Sequence, residues 1–248
     1  MQKILEKDFW DRYLKVYDVL SNLIPYRQTL QDILDLIDST NKTIVLDVGC
    51  GTANIIKLFL DEKKEFNTII GVDSSDVALK IASDKIQNRD VSFNFVNLSS
   101  PLPFFDDEFD YLIMNNVLHS IQVRDRLRLF KELFRITKPG GKIIVATVND
   151  HFSPVDIYRK HVLLSIKMNG FIKTIIETVR YIYPSLLIML YNYQIKISIR
   201  SKEYNLLSKD EHGLLLKKVG FNVELDNYPT YAGNSFLAVG KKNSHAEI

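Results

Sequence analysis

The stretch LDVGCGTAN (residues 46–54) constrains this chain more than any other segment. It ends a β-branched run, KTIVLDV (42–48), in Gly49-Cys50-Gly51, so a strand is expected to enter a tight turn and pass directly into a helix. A glycine corner at a helix N-terminus offers bare backbone amides and room for a ligand to approach closely. Two details narrow the ligand. Asn54 stands where the dinucleotide fingerprint has its third glycine, which disfavours a pyrophosphate. Asp47 precedes the turn, where a carboxylate repels phosphates and favours an ammonium group.

The rest of the chain supplies the sheet this corner needs. Residues 53–63 are predicted as a helix, NTIIGVD (67–73) as a second strand, 75–87 as a helix and VSFNFVN (91–97) as a third strand. FDYLIMNN (109–116) reads as the fourth strand, and a helix over 122–137 is expected to stop at Lys138-Pro139-Gly140-Gly141 before a fifth strand at 141–149. After a long, mostly helical insert the rhythm resumes with a helix over 207–221 and strands at 221–226 and 235–242. Upstream, apolar side chains at helical spacing over residues 8–38 are divided into two helices by Pro25. Alternating strands and helices imply a Rossmann-like α/β, doubly wound sheet with right-handed crossovers. Three parts follow: an N-terminal helical cap (1–40), the α/β domain (41–150 and 205–242) and a helical lid insertion (151–204).

Composition excludes several classes. The net charge of +2 over 248 residues is too small to argue for nucleic acid, and one cysteine rules out an internal disulfide framework. The charged N-terminus lacks an apolar signal core, and there is no uninterrupted run of about eighteen apolar residues; a cytoplasmic protein is expected.

Further candidate binding residues fall at the carboxyl ends of the strands. Asp73, in GVDSS (71–75), is placed to accept both hydroxyls of a ribose, although an aspartate there also serves as a cap for the next helix, as Ser74 or Ser75 would. Asn97 is placed to meet an adenine amino group and Leu98 to pack on a ring; Asn115, Asn116 and His119 follow the fourth strand. All converge on the crevice where open α/β sheets bind ligands.

LDVGCGT, GVDSS, LPFFDDEFD, NNVLHSI and ITKPGGKIIVAT occur in the order found in class I S-adenosylmethionine-dependent methyltransferases, and over about residues 10–149 and 205–242 the chain resembles their quinone-, lipid- and small-molecule-methylating branch. The resemblance implies strand order 3-2-1-4-5-7-6 with the last strand antiparallel. It implies S-adenosylmethionine, with S-adenosylhomocysteine as product. The implied contacts are Asp47, Gly49 and Gly51 to the methionine part, Asp73 with Ser74 to the ribose, and Asn97 and Leu98 to the adenine. Asn115 would lie beside the sulfur, and Tyr17 of the N-terminal helix would complete the cofactor site. The branch commonly carries Asp at position 97. Cys50 is an ordinary occupant of its turn and reads as packing.

Methyl transfer needs alignment and, for some acceptors, a base. His119 and His151 are the candidate bases, with His161 of the insert a third. No metal is expected, because Asn115 stands where the magnesium-using branch needs an aspartate beside Asn149-Asp150. Residues 151–202 carry a net charge of +6 interleaved with apolar and aromatic side chains. Such a lid, with Tyr13, Tyr158, His161 and Tyr181 facing the substrate, suits a small hydrophobic or amphiphilic acceptor; alternatively it rests on an anionic membrane surface, forms a homodimer contact or is a solvated face over a private core. A nucleic-acid, protein or peptide methyltransferase, or a catalytically silent cofactor-binding assembly partner, are the competing classes. A dehydrogenase is disfavoured by Asn54 and Asp47.

Overall fold

A computed structural model describes residues 7–198 and 206–244. In chain order the elements are helix α1 (Lys7–Tyr17), a 3-10 turn (Asp18–Asn22), α2 (Ile24–Asp35), β1 (Ile44–Val48), α3 (Asn54–Asp61), β2 (Thr68–Asp73), α4 (Asp76–Lys85), β3 (Val91–Phe95) and β4 (Phe109–Asn115). Then follow α5 (Val123–Ile136), β5 (Thr137–Val148), α6 (Pro154–Asn169), α7 (Phe171–Ser198), α8 (Glu211–Val219), β6 (Asn222–Thr230) and β7 (Ser235–Lys241).

Strand order is β3-β2-β1-β4-β5-β7-β6, with β1 to β5 parallel and β7 antiparallel to β5 and β6. The order expected from the resemblance is thus observed. β1 lies between β2 and β4, so the direction of winding reverses at its carboxyl end, where a crevice must open. Alternate residues of the strands feed two cores. Val45, Ile69, Ile113 and Ile144 pack with α2, α3 and α4, whereas Leu46, Val72, Leu112 and Val145 pack with α5 and α8.

Several boundaries depart from the sequence reading. The break between the first two helices is the 3-10 turn at 18–22, not Pro25, which occupies the first turn of α2, where its missing N–H costs nothing. β5 starts at Thr137 rather than 141, because Thr137 pairs with Phe109 and Gly140 and Gly141 bond to Lys242 of the neighbouring strand end. The helix expected over 207–221 is confined to 211–219 and ends at Gly220 in the left-handed region (φ 111°). β6 runs to Thr230, past the expected 226, since its pairing with β7 continues beyond two register shifts.

Ser75 caps α4 by accepting from the Ala78 amide, and Ser153 caps α6 by accepting from Asp156. The 28-residue α7 packs one side on the first core through Ile188 and Ile195 and meets α1 through Tyr191, whose ring lies edge-on to Phe9 and Tyr13. Residue 205 and the last positions of the insertion, 199–204, lie outside the described residues. Among the described residues no helix is long and apolar enough to cross a membrane.

Candidate active site

The glycine corner is built by left-handed backbone. Gly49 (φ 72°), Gly51 (φ 51°) and, unusually, Ala53 (φ 61°) alternate along it, and the amides of Gly49 and Cys50 both donate to the Val72 carbonyl at 2.7 and 2.9 Å. A Cβ on Gly49 would stand 2.4 Å from a methyl of Val117, so the corner is closed from behind by the loop after β4. Asp73 ties the corner to the start of α4. One carboxylate oxygen accepts from the Gly51 amide and the other from the Ser75 amide, each at 2.9 Å. Ser75 is therefore the helix cap, and Asp73 braces it from two residues further back.

A cavity of about 450 Å³ opens at this corner. All nine candidate cofactor residues line it: Tyr17, Asp47, Gly49, Gly51, Asp73, Ser74, Asn97, Leu98 and Asn115. Tyr13 and Asn116 line it too, with Trp10, Tyr26, Asn54, Phe95 and Ile121, which the sequence reading did not assign to it. The N-terminal helix thus forms one wall.

The polar groups in this wall have unmet hydrogen-bonding capacity. Asp47 is 2% exposed, and its Oδ2 has no partner; so too Asn115 Oδ1, Asn116 Oδ1 and Asn54 Nδ2. Burial first, and the nearby Asp73 second, raise the Asp47 pKa from 3.8 to about 8. Asp73 is raised as well, by burial, with its backbone hydrogen bonds acting in the opposite direction. Three buried acceptors without a partner, on Asp47, Asn115 and Asn116, favour a cationic group in the cavity. Asn54 is oriented from behind: its Oδ1 accepts from Lys85 Nζ at 3.0 Å, and the same ammonium donates to the Thr52 carbonyl (2.6 Å) and pairs with Asp18 (2.8 Å). Asn97 Oδ1 accepts from the Ser99 amide at 2.9 Å, which fixes the loop but engages the oxygen expected to meet an adenine.

The aromatic wall is hydrogen-bonded among itself. Tyr26 Oη donates to Tyr17 Oη (3.2 Å), and Tyr13 Oη donates to Asn192 of α7 (3.1 Å). Burial lifts the Tyr17 phenol to about 12, so it stays protonated at neutral pH.

The remaining candidates lie elsewhere. His119 is buried outside the cavity with its ring 6.1 Å from that of Trp10; its Nδ1 is unpartnered, and burial, aided by Arg126, lowers its pKa to about 4. His151 is largely exposed, with Asp150 3.6 Å away. His161 Nδ1 accepts from the Ile24 amide at 3.2 Å, which joins the insert to α2, and the Tyr158 ring lies tilted 6.0 Å from the imidazole; neither residue lines the cavity. Tyr181 lies beneath Arg180 on α7, also away from it. Their positions depend on how α6 and α7 pack, which residue spacing alone does not encode.

This fold, with a crevice at the carboxyl end of β1, defines an open, doubly wound α/β protein. Residues 46–145 match the family described as "Methyltransferase domain". The chain is 28% identical over 154 residues to a demethylmenaquinone methyltransferase of Shouchella clausii, covering 60% of this chain and 64% of that one. It is 29% identical over 135 residues to that of Anoxybacillus flavithermus, covering 52% and 55%. The matched part therefore spans less than two thirds of these relatives. Among solved structures, a SAM-dependent methyltransferase from Aquifex aeolicus superposes with a TM-score of 0.61 at 14% identity over 94% of this chain and 98% of that one. A chain from the complex of the Haloferax volcanii Trm112 methyltransferase activator with a methyltransferase gives 0.64 at 16% identity, covering 98% and 99%. Residues 46–145 thus carry a methyltransferase-domain match, on a fold shared with solved methyltransferases.

Proposed function

We propose that this chain binds S-adenosylmethionine in the cavity at the glycine corner and methylates a small, hydrophobic or amphiphilic acceptor of the quinone type. The observation that carries the reading is the buried, unpaired Asp47 carboxyl facing the same cavity as Asp73. The groups present fit the cofactor. Asp47, with Asn115 and Asn116, would hold the ammonium, and Asn54 Nδ2 the carboxylate of the methionine part. Asp73 has lone pairs left after its two amide bonds for a ribose diol, while Leu98 and Phe95 offer apolar surface to a base.

When bound, the cofactor supplies a methyl group on a sulfonium. This chain's own residues orient and dry the site: Trp10, Tyr13, Leu14 and Ile121 cover it with apolar surface, which favours a reaction in which charge is neutralised. Among the described residues no histidine lines the cavity, so in this reading the acceptor arrives already ionised or loses its proton to water, and His119 and His151 are not needed as bases. The names of the curated relatives and the aromatic wall support a quinone-type acceptor. The α6–α7 hairpin acts as a brace for α1 rather than a direct substrate surface, in keeping with the positions of Tyr158, His161 and Tyr181.

Calorimetry with S-adenosylhomocysteine, followed by methyl transfer from labelled S-adenosylmethionine to demethylated quinols, tests the reading. Micromolar binding and labelled quinol are expected; no affinity for the nucleoside overturns it.

A further inference from the structure

Most of the exposed large apolar side chains among the described residues lie on α6 and α7. On α7 they are ordered. Ile172, Ile176, Val179, Tyr183, Leu186 and Leu190 follow one another at intervals of four and three, each more than half exposed, and form a stripe about 27 Å long on the side away from the core. Ile175 and Ile182 widen it. The opposite side of the same helix is the buried one, with Ile188, Asn192 and Ile195. The stripe is therefore the second apolar face of a helix whose first face is already used.

A spacing of four and three also describes a helix–helix seam, but two observations favour a different occupant. The exposed charges of the two helices are mostly cationic: Lys173 and Arg180 on α7, Lys167 near the hairpin turn, and Arg159 and Lys160 on α6, against the single exposed acid among their described residues, Asp156 in the first turn of α6. The acidic Glu177 of α7 is only half-buried and lies close enough to His161 of α6 to favour its protonated form. A second copy would set these cations against each other, whereas an anionic surface complements them. Pro184 also interrupts the hydrogen bonding of α7 in the middle of the stripe, which a continuous coiled coil tolerates poorly and a helix lying on lipid does not need. We infer that the outer face of α7, with the basic residues of α6, is a docking surface for an anionic lipid bilayer, on which the helix lies flat.

The test uses the full chain and vesicles of phosphatidylcholine, with or without phosphatidylglycerol. Flotation with the anionic vesicles is expected to exceed that with neutral ones at least tenfold, and to fall as sodium chloride rises from about 0.05 to about 0.5 M. The variants Ile172→Glu/Leu186→Glu and Lys173→Glu/Arg180→Glu should each lose at least tenfold in bound fraction while keeping affinity for S-adenosylhomocysteine, a readout independent of docking. Absence of flotation, equal binding to both vesicles, indifference to salt, or variants that float like the unmodified chain would overturn the inference. So would a chain that sediments as a dimer without floating and becomes monomeric in the Ile172→Glu/Leu186→Glu variant.

Discussion

Asp47 lies buried beside Asp73, and burial first and that neighbouring carboxylate second raise its pKa to about 8, which favours its protonated form at neutral pH. A cationic ligand reverses this balance, because an ammonium beside Asp47 favours its ionised form.

The first prediction concerns pH. Below the Asp47 pKa of about 8, binding an ammonium-bearing ligand must release a proton, so affinity should rise by up to about tenfold per pH unit between roughly 6 and 7.5. Calorimetry in buffers of different ionisation enthalpy reads the released proton directly. In Asp47→Asn the slope should vanish and affinity fall by about 10- to 100-fold. The stability of the free protein moves the other way. Asp47 is raised on folding from 3.8, so folding loses stability as pH rises from about 4 to about 8, and Asp47→Asn should melt higher than the parent at pH 8. A lower melting temperature for that variant would contradict the assignment.

Gly49 tests the corner. Alanine there must hold φ near 72° and overlap Val117, for a cost of about 1–3 kcal/mol and loss of nucleoside binding. Adding Val117→Ala should restore part of the stability, since it removes the methyls at 2.4 and 2.9 Å but not the backbone strain. Denaturant melts of the two single variants and the double variant measure the share.

Lys85 makes no entry into the cavity wall, yet it holds Asn54, Thr52 and Asp18 together. Lys85→Met should free Asn54 to rotate and weaken nucleoside binding about tenfold, with little change in acceptor KM. Asn54→Leu should lose the same affinity with Lys85 intact; if only the Lys85 variant is affected, the role of Asn54 as a ligand fails.

For His119, whose pKa is lowered to about 4 outside the cavity, His119→Ala is expected to leave the pH–rate profile between 6 and 8 unchanged. Its cost should appear as stability, about 1–3 kcal/mol for the void left beside Trp10. A vanished acidic limb in that profile would make the histidine a proton carrier.

The strand-end wall of the cavity was legible because each of its residues sits at a fixed offset along a β-branched run: Asp47 near the end of β1 and Gly49 just after it, Asp73 at the end of β2, Leu98 after β3, Asn115 at the end of β4. The opposite wall was not. Trp10 and Tyr26 reach the cavity only through the packing of α1 and α2 over the sheet edge, and the spacing of apolar residues says which side of a helix is buried but not against what. The same limit applies to His119, Tyr158 and Tyr181, whose surroundings are made by elements remote in sequence. Asn54 was visible as a missing glycine; that its side-chain oxygen would be held by an ammonium required knowing where Lys85 falls.

Trp10 is the only tryptophan of the chain, and it forms part of the cavity wall. The molecule thus carries a built-in optical gauge of occupancy: a nucleoside settling beside the indole should change its emission, so ligands can be ranked on the unlabelled protein before any acceptor is known.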